Sequence, residues 1–316
     1  MHLGTALRSN ISLVDLDLSN KIGSPFKHNL LSEKGAEYLV PLLETNRFLS
    51  FLNLSGNRIG DKGIQLILAA ISKGNTMVSL DISQNSITGD SADAISFCLT
   101  ECKPLKRLNL WGNQLGNACI EKISNAFAEK SCHVEDLNLR CTGISSLGFR
   151  FIFKTMVMGA KYLAKLNLED NEIGPLEKPF TVAMNGIAGS PSLKWLSLRN
   201  CGLNDYFGEC LAKGLLANQH LTHLNLSKND LTDSTAFIFA EVLSNKISVL
   251  KELNLSKNMI GDSGAIAMAG MLSVNEKLKN INFSANFLSE KSGRALQSTM
   301  QTNKTIETIT LSDTDI

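Results

Sequence analysis

A chain of 316 residues with a formal net charge of +1 carries no global field that would draw it to nucleic acid or to an anionic membrane. No apolar run approaches the roughly 18 residues that a membrane-spanning helix needs, and the opening MHLGTALRSN lacks the apolar core and cleavage motif of a signal peptide. Seven cysteines (Cys98, Cys102, Cys119, Cys132, Cys141, Cys201 and Cys210), odd in number and irregular in spacing, exclude a disulfide framework and fit a reducing cytosolic setting.

Leu3 and Leu7 stand four apart, the spacing of one helix face, and match the helical half of a unit that would precede the first strand. Leu16 and Leu18 alternate with Asp15 and Asp17, as in a short strand with one buried face. The stretch from Asn20 to Glu33, with Pro25 and His28, reads as a surface loop. From Leu49 onward a phrase returns, Leu-x-x-Leu-x-Leu-x-x-Asn-x-Leu. It stands as Leu49, Leu52, Leu54, Asn57, Ile59, then as Leu105, Leu108, Leu110, Asn113, Leu115, and again from Leu221 and from Leu250. The third apolar residue of each copy falls at Leu18, Leu54, Ile82, Leu110, Leu139, Leu168, Leu198, Leu226, Leu255, Phe283 and Leu311. The steps between these markers are 36, 28, 28, 29, 29, 30, 28, 29, 28 and 28, so there are eleven copies with one early insertion.

Ten residues past each Asn an apolar residue appears, with another four later: Ile67/Ile71, Ile95/Leu99, Ile123/Phe127, Ile152/Met156, Leu211/Leu215, Phe239/Leu243, Met268/Leu272 and Leu296/Met300. Each pair marks the buried face of a helix. Gly63, Ser91, Gly148 and Gly264 sit four before these pairs and suit a close approach to the neighbouring repeat. The Asn closes the strand, because its amide can satisfy backbone groups that lose their ladder partners at the turn. Cys201 takes that slot once, Thr142 and Thr314 take it with looser turns expected, and in the first copy Asn20 or Lys21 falls there. Between Glu169 and Gly189, Pro175, Pro179 and Pro191 bracket a helix shifted relative to the others.

A phrase of this kind at a period of about 20 to 29 residues is the leucine-rich repeat signal. Segments such as LNLSGNRIGDKGIQLILAAI and LNLSKNMIGDSGAIAMAGML resemble the ribonuclease-inhibitor-like class of these repeats over residues 3 to 316. The resemblance implies an α/β solenoid, a horseshoe with a parallel β-sheet on its concave face and helices on its convex face, in about eleven repeats and as a single domain over 1–316. Ribonuclease inhibitor itself is cysteine-rich, and seven Cys argue against that inhibitor. Neither end carries an obvious polar capping unit, so the chain reads as a segment of a longer array or as one whose terminal repeats a partner chain covers.

No signature of catalysis is present: no phosphate loop, no Gly-x-Ser-x-Gly elbow and no His-Glu-x-x-His. Cys98 and Cys102, four apart on a helix, lack a second ligand pair at the right spacing, and His220 with His223 reads as surface or edge packing. No metal and no cofactor are therefore expected. Of six Asn-x-Ser/Thr triplets, four, at Asn53, Asn225, Asn254 and Asn282, lie in the strand phrase and are by-products of the repeat, and no glycosylation is expected.

The informative positions are those the phrase leaves free, which point to the open strand face. One step before the second Leu the series reads Asp15, Phe51, Ser79, Arg107, Asp136, Lys165, Trp195, His223, Glu252, Asn280, Thr308. One step after the third Leu serine is the default, broken only by Trp111, Arg140, Glu169 and Arg199. Both tryptophans thus fall on one face, with Arg107, Asp136, Lys165 and His223 beside them. Trp and Arg are enriched where binding energy concentrates, and two exposed tryptophans gain nothing from solubility. The opposing reading is a ladder that neutralises itself, Arg140 stacking on Trp111 and pairing with Glu169.

These features predict a non-enzymatic scaffold that binds a protein partner through the concave face, in the cytoplasm. The resemblance extends to inhibitors, innate immune sensors, cytoskeletal regulators and axonemal components, and so implies a component or regulator of a larger, for example cytoskeletal or axonemal, assembly. Ran GTPase-activating proteins also share fold and period, which makes a small-GTPase regulator the alternative, although this chain lacks their acidic tail. A pathogen effector on the same repeat is a third.

Overall fold

The computed structural model describes residues 7, 10–20, 30–129, 131–174, 181–245 and 247–315, those of 181–184 without their side chains. Leu3, Lys21, Pro25, His28, Pro175 and Pro179 lie outside the described residues. Eleven strands of three residues are all parallel and follow chain order. They are β1 (Asp15–Asp17), β2 (Phe51–Asn53), β3 (Ser79–Asp81), β4 (Arg107–Asn109), β5 (Asp136–Asn138), β6 (Lys165–Asn167), β7 (Trp195–Ser197), β8 (His223–Asn225), β9 (Glu252–Asn254), β10 (Asn280–Asn282) and β11 (Thr308–Thr310). Parallel strands need a crossover, and helices supply it. The chain forms two compact units, residues 1–166 and 167–316.

In the first unit the helices are α1 (Glu33–Thr45), α2 (Gly60–Gly74), α3 (Ala92–Glu101), α4 (Gly116–Ala128), α5 (Ser146–Phe151), a π turn over Ile152–Met156, and α6 (Val157–Gly159). The strands pair without slippage, Leu16 on Leu52, Leu52 on Leu80, Leu80 on Leu108 and Leu108 on Leu137. In the second unit α7 (Thr181–Gly189), α8 (Asp205–Leu215), α9 (Asp233–Leu243), α10 (Asp262–Leu272) and α11 (Glu290–Thr302) alternate with strands whose centres, Leu196, Leu224, Leu253, Ile281 and Ile309, are likewise in register. Helix α7 is described over Thr181–Gly189, and the start of the shifted helix expected there lies outside the described residues.

The helix pairs behave as their spacing dictates. All are buried except Met300, 55% exposed, on α11, where no further described helix covers it. Close approach accounts for the small residues before them. A Cβ on Gly63 would stand 2.6 Å from Ile59 Cγ2 and 3.2 Å from Ala36 Cβ, and one on Gly264 would stand 2.8 Å from Ala236 Cβ.

The asparagine slot ties each turn to its neighbours. Asn113 Nδ2 donates to Leu110 O of its own turn (2.9 Å) and to Ile82 O of the preceding one (3.1 Å), while its Oδ1 accepts from Asn85 N and Ile87 N. Asn229 repeats the arrangement with Leu226 O, Leu198 O, Cys201 N and Leu203 N. Cys201 Sγ reaches Leu168 O, and the Thr142 and Thr314 hydroxyls each donate to the carbonyl three residues back.

Three further ladders follow the same period. Asn46, Asn218, Asn275 and Asn303 close the helix-to-strand turns. The Nδ2 of Asn218 donates to Ile187 O, and its Oδ1 accepts from His220 N and Leu221 N. Beyond each strand, Gln84, Asn200, Lys228 and Lys257 are left-handed, with φ of 52° to 57°, and their N–H groups carry the ladder on into the next repeat. Finally, carboxylates at helix starts grip the following repeat. Asp205 accepts from the N–H and hydroxyl groups of both Thr232 and Thr235, and Asp61 accepts from Thr88 and Ser91. Burial pushes these two carboxyls up, but the donated hydrogen bonds outweigh it and hold both below the usual value.

Candidate functional site

Alternation along each strand sends Leu into the core and its neighbours to the open face. The middle position of that face turns out to be structural. Asn53, Asn109, Asn138, Asn167, Asn225, Asn254 and Asn282 each accept, through Oδ1, the N–H two residues on (2.9–3.1 Å), a turn that ends the strand. Asp17, one of the two carboxylates on the first strand, does the same for Ser19 N. The positions flanking this row are the ones without a repeat-wide structural duty.

The nine residues singled out from the sequence divide between the units. In the first, the Arg140 guanidinium lies 5.4 Å from the Trp111 ring centre, a cation–π contact. Lys165 Nζ is 3.5 Å from Asp136 Oδ2, and Arg107, in register with Asp136, donates from Nε to Ser79 Oγ (3.3 Å). This half therefore combines a covered aromatic with a strip of alternating charge. In the second unit Glu169 accepts from Ser197 Oγ (2.7 Å), and Arg199 stands 3.6 Å from Asp170. Trp195 is in register with His223, whose Nδ1 is 2.7 Å from Thr222 Oγ1 and whose Nε2 is 3.4 Å from Glu252. Both tryptophans are half-buried rather than exposed, Trp111 with the Arg140 guanidinium over its ring and Trp195 in the wall of a groove.

That groove, about 250 Å³, runs over β7 to β11 and is lined by Trp195, His223, Glu252, Asn254, Asn280 and Asn282 among others. Only Trp195 and His223 of these were marked by the sequence. The rest look like ordinary members of the Asn-rich series, and only the depth beside Trp195 distinguishes them. A second feature without a sequence signal lies in the first unit, where His133 stacks on Tyr162 (4.8 Å between ring centres) and Lys106 and Lys161 stand over the same ring at 5.7 and 5.2 Å.

All seven cysteines are free, and six are buried, with Cys141 exposed. Burial pushes the Cys119 and Cys201 thiols up to about 12 and that of Cys132 to about 11. Among the described residues no group of three His, Cys, Asp or Glu is placed to hold a metal ion, and no helix is long and apolar enough to cross a membrane.

Comparison with known proteins agrees with this architecture. The family model described as Leucine Rich repeat matches residues 45–68, 75–96, 217–236 and 246–269. The chain is 26% identical over 234 residues to NACHT, LRR and PYD domains-containing protein 5 of Mus musculus, covering 73% of this chain and 19% of that protein. It is 27% identical over 252 residues to ribonuclease inhibitor of Sus scrofa, covering 79% of this chain and 54% of the inhibitor. It thus spans about a fifth of the first relatives and about half of the inhibitor. Among solved structures an internalin of Listeria monocytogenes aligns over 99% of this chain and 84% of its own, with a TM-score of 0.51 and 18% identity, a likeness of fold.

Proposed function

Because the chain is a ribonuclease-inhibitor-like leucine-rich repeat protein, built as an α/β solenoid of eleven parallel strands and intervening helices, we propose that it is a non-enzymatic scaffold that takes a protein partner on its open strand face. Leucine-rich repeat proteins generally mediate protein–protein interaction, and here the observation that carries the reading is the division of labour along each strand. The middle row is spent on strand-ending turns, whereas the flanking rows hold Trp111, Arg140, Trp195 and Arg199, large side chains with directional polar groups. In the first unit Arg107, Asp136 and Lys165, and in the second Glu169 and His223, supply charge and hydrogen bonding around those anchors.

Seven free cysteines support a reducing, cytosolic setting. Membership of a larger assembly, cytoskeletal or axonemal in kind, rests on the family resemblance, and recovery of tubulin- or dynein-associated partners by pull-down and mass spectrometry tests it. The regulator reading has a separate test, since acceleration of GTP hydrolysis by any of a panel of small GTPases would replace the scaffold reading. For the face itself, Trp111→Ala/Arg199→Ala is expected to weaken a purified partner by at least about tenfold, measured by titration calorimetry. Unchanged affinity would remove the face from the account.

A further inference from the structure

The second unit carries, at the ends of its strands, cations that form no ion pair among the described residues. Just before the strands stand Lys194 and Lys251, and just after them Lys228 and Lys257, all exposed. Among the described residues none of the four makes an ion pair, unlike Lys279, which is bound to Glu307, and Arg199, which is beside Asp170. The acid between the two lysine rows is Glu252, and it is already engaged by His223 Nε2 (3.4 Å) and Asn280 Nδ2 (3.1 Å).

The floor between the rows is a set of donors. Asn225, Asn254 and Asn282 lie side by side in register, and their Oδ1 atoms are used by Ser227, Ser256 and Ser284 N–H. Their Nδ2 groups have no hydrogen-bond partner among the described residues and line the groove with Trp195 as one wall. Amide N–H groups without a partner accept carboxylates and carbonyls, and the ammonium groups that precede and follow the strands favour an anionic ligand.

We infer that the groove over β7 to β10 takes an extended acidic peptide segment of the partner. The inference rests on the proposed use of the strand face and adds the chemistry of what lies there. Three strand steps of about 4.8 Å separate β7 from β10, so the segment needs about four or five extended residues at roughly 3.3 Å each. A protein segment fits better than a nucleic acid. Single-strand binders stack successive bases on several aromatic rings, whereas one indole and one imidazole, those of Trp195 and His223, border this groove, and a chain of net charge +1 gives no long-range attraction to a phosphate backbone.

The test is fluorescence anisotropy of fluorescein-labelled hexaglutamate titrated with the full chain, beside labelled hexalysine and hexathymidylate. Hexaglutamate is expected to bind, more weakly as salt rises, and hexalysine not to. Lys194→Gln/Lys228→Asn/Lys251→Gln/Lys257→Asn should weaken hexaglutamate at least about tenfold. Asn suits the left-handed backbone at 228 and 257 (φ 56° and 57°), so the fold is retained. The single changes Lys251→Gln and Lys228→Asn should each weaken it about twofold or more, while Lys103→Gln/Lys154→Gln in the first unit should leave it unchanged. No binding of hexaglutamate, binding indifferent to the second unit's lysines, or hexathymidylate bound as tightly would each overturn the inference. A partner that loses affinity with Trp111→Ala/Arg199→Ala but binds the lysine variants normally would overturn this inference alone and leave the strand-face reading standing.

Discussion

Asn229 shows how a single amide can hold two turns. Its Nδ2 serves Leu198 O and Leu226 O, and its Oδ1 serves Cys201 N and Leu203 N, all buried. Asn229→Ala takes this partner from Leu198 O, Cys201 N and Leu203 N, while Leu226 O keeps Asn258 Nδ2 (3.1 Å), and an unmade buried hydrogen bond costs about 1–3 kcal/mol. We expect a loss of about 2–4 kcal/mol in chemical denaturation, with Asn229→Thr between, since a threonine there can keep the bond to the carbonyl three residues back, as Thr142 does. Asp205 gives the pH dependence. Its carboxyl is raised by burial but lowered further by Thr232 and Thr235, so the folded value lies below the unfolded one of about 3.9. A lowered folded value means that the stabilisation is complete above the unfolded value and is lost as pH falls from there through the folded one. Thermal melts between pH 6 and pH 2.5 should therefore show the midpoint dropping below about pH 4, and dropping less in Asp205→Asn.

At the scale of strands and helices, much was legible because it obeys two periods. The alternation in Leu52-Asn53-Leu54 gave the strand, and the four-residue spacing of Ile67 and Ile71 gave the helix face. Gly63 and Gly264 announced close helix packing because only a missing Cβ fits. What escaped notice was equally periodic but chemically disguised. The second asparagine ladder is interrupted by Cys102 and Cys132, so Asn218 and Asn275 do not stand out. The left-handed positions are filled by Lys228 and Lys257 rather than glycine, and Asp205 looks like any first-turn acid. The groove stayed hidden because Asn254 and Asn282 belong to a row that is structural everywhere else, and only three-dimensional depth beside Trp195 sets theirs apart. The elements also predict thiol chemistry. Cys141 sits exposed on a turn while the other six cysteines are packed away, so iodoacetamide on the native chain should label one site, identified by peptide mapping as Cys141. Rapid labelling of Cys119 would mean that the helix packing opens, and of Cys201 that the turn after β7 does.

Within each unit, helices contact the helix of the neighbouring repeat and strands pair in chain order, so each core is a sum of local contacts. Such a design frees the open strand face from any role in the core and lets its flanking rows vary, which is why Trp and Arg can replace serine there without loss of fold. The helical side is the natural competitor as a binding surface, since Phe97 and Phe237 are 56% and 48% exposed there. The most direct measurement is the affinity of one purified partner for two matched variants, Trp111→Ala/Arg199→Ala on the strand face and Phe97→Ser/Phe237→Ser on the helices. The account predicts a loss of at least about tenfold in the first and none in the second. The reverse, an unaffected strand-face variant with binding lost from the helical one, would contradict it.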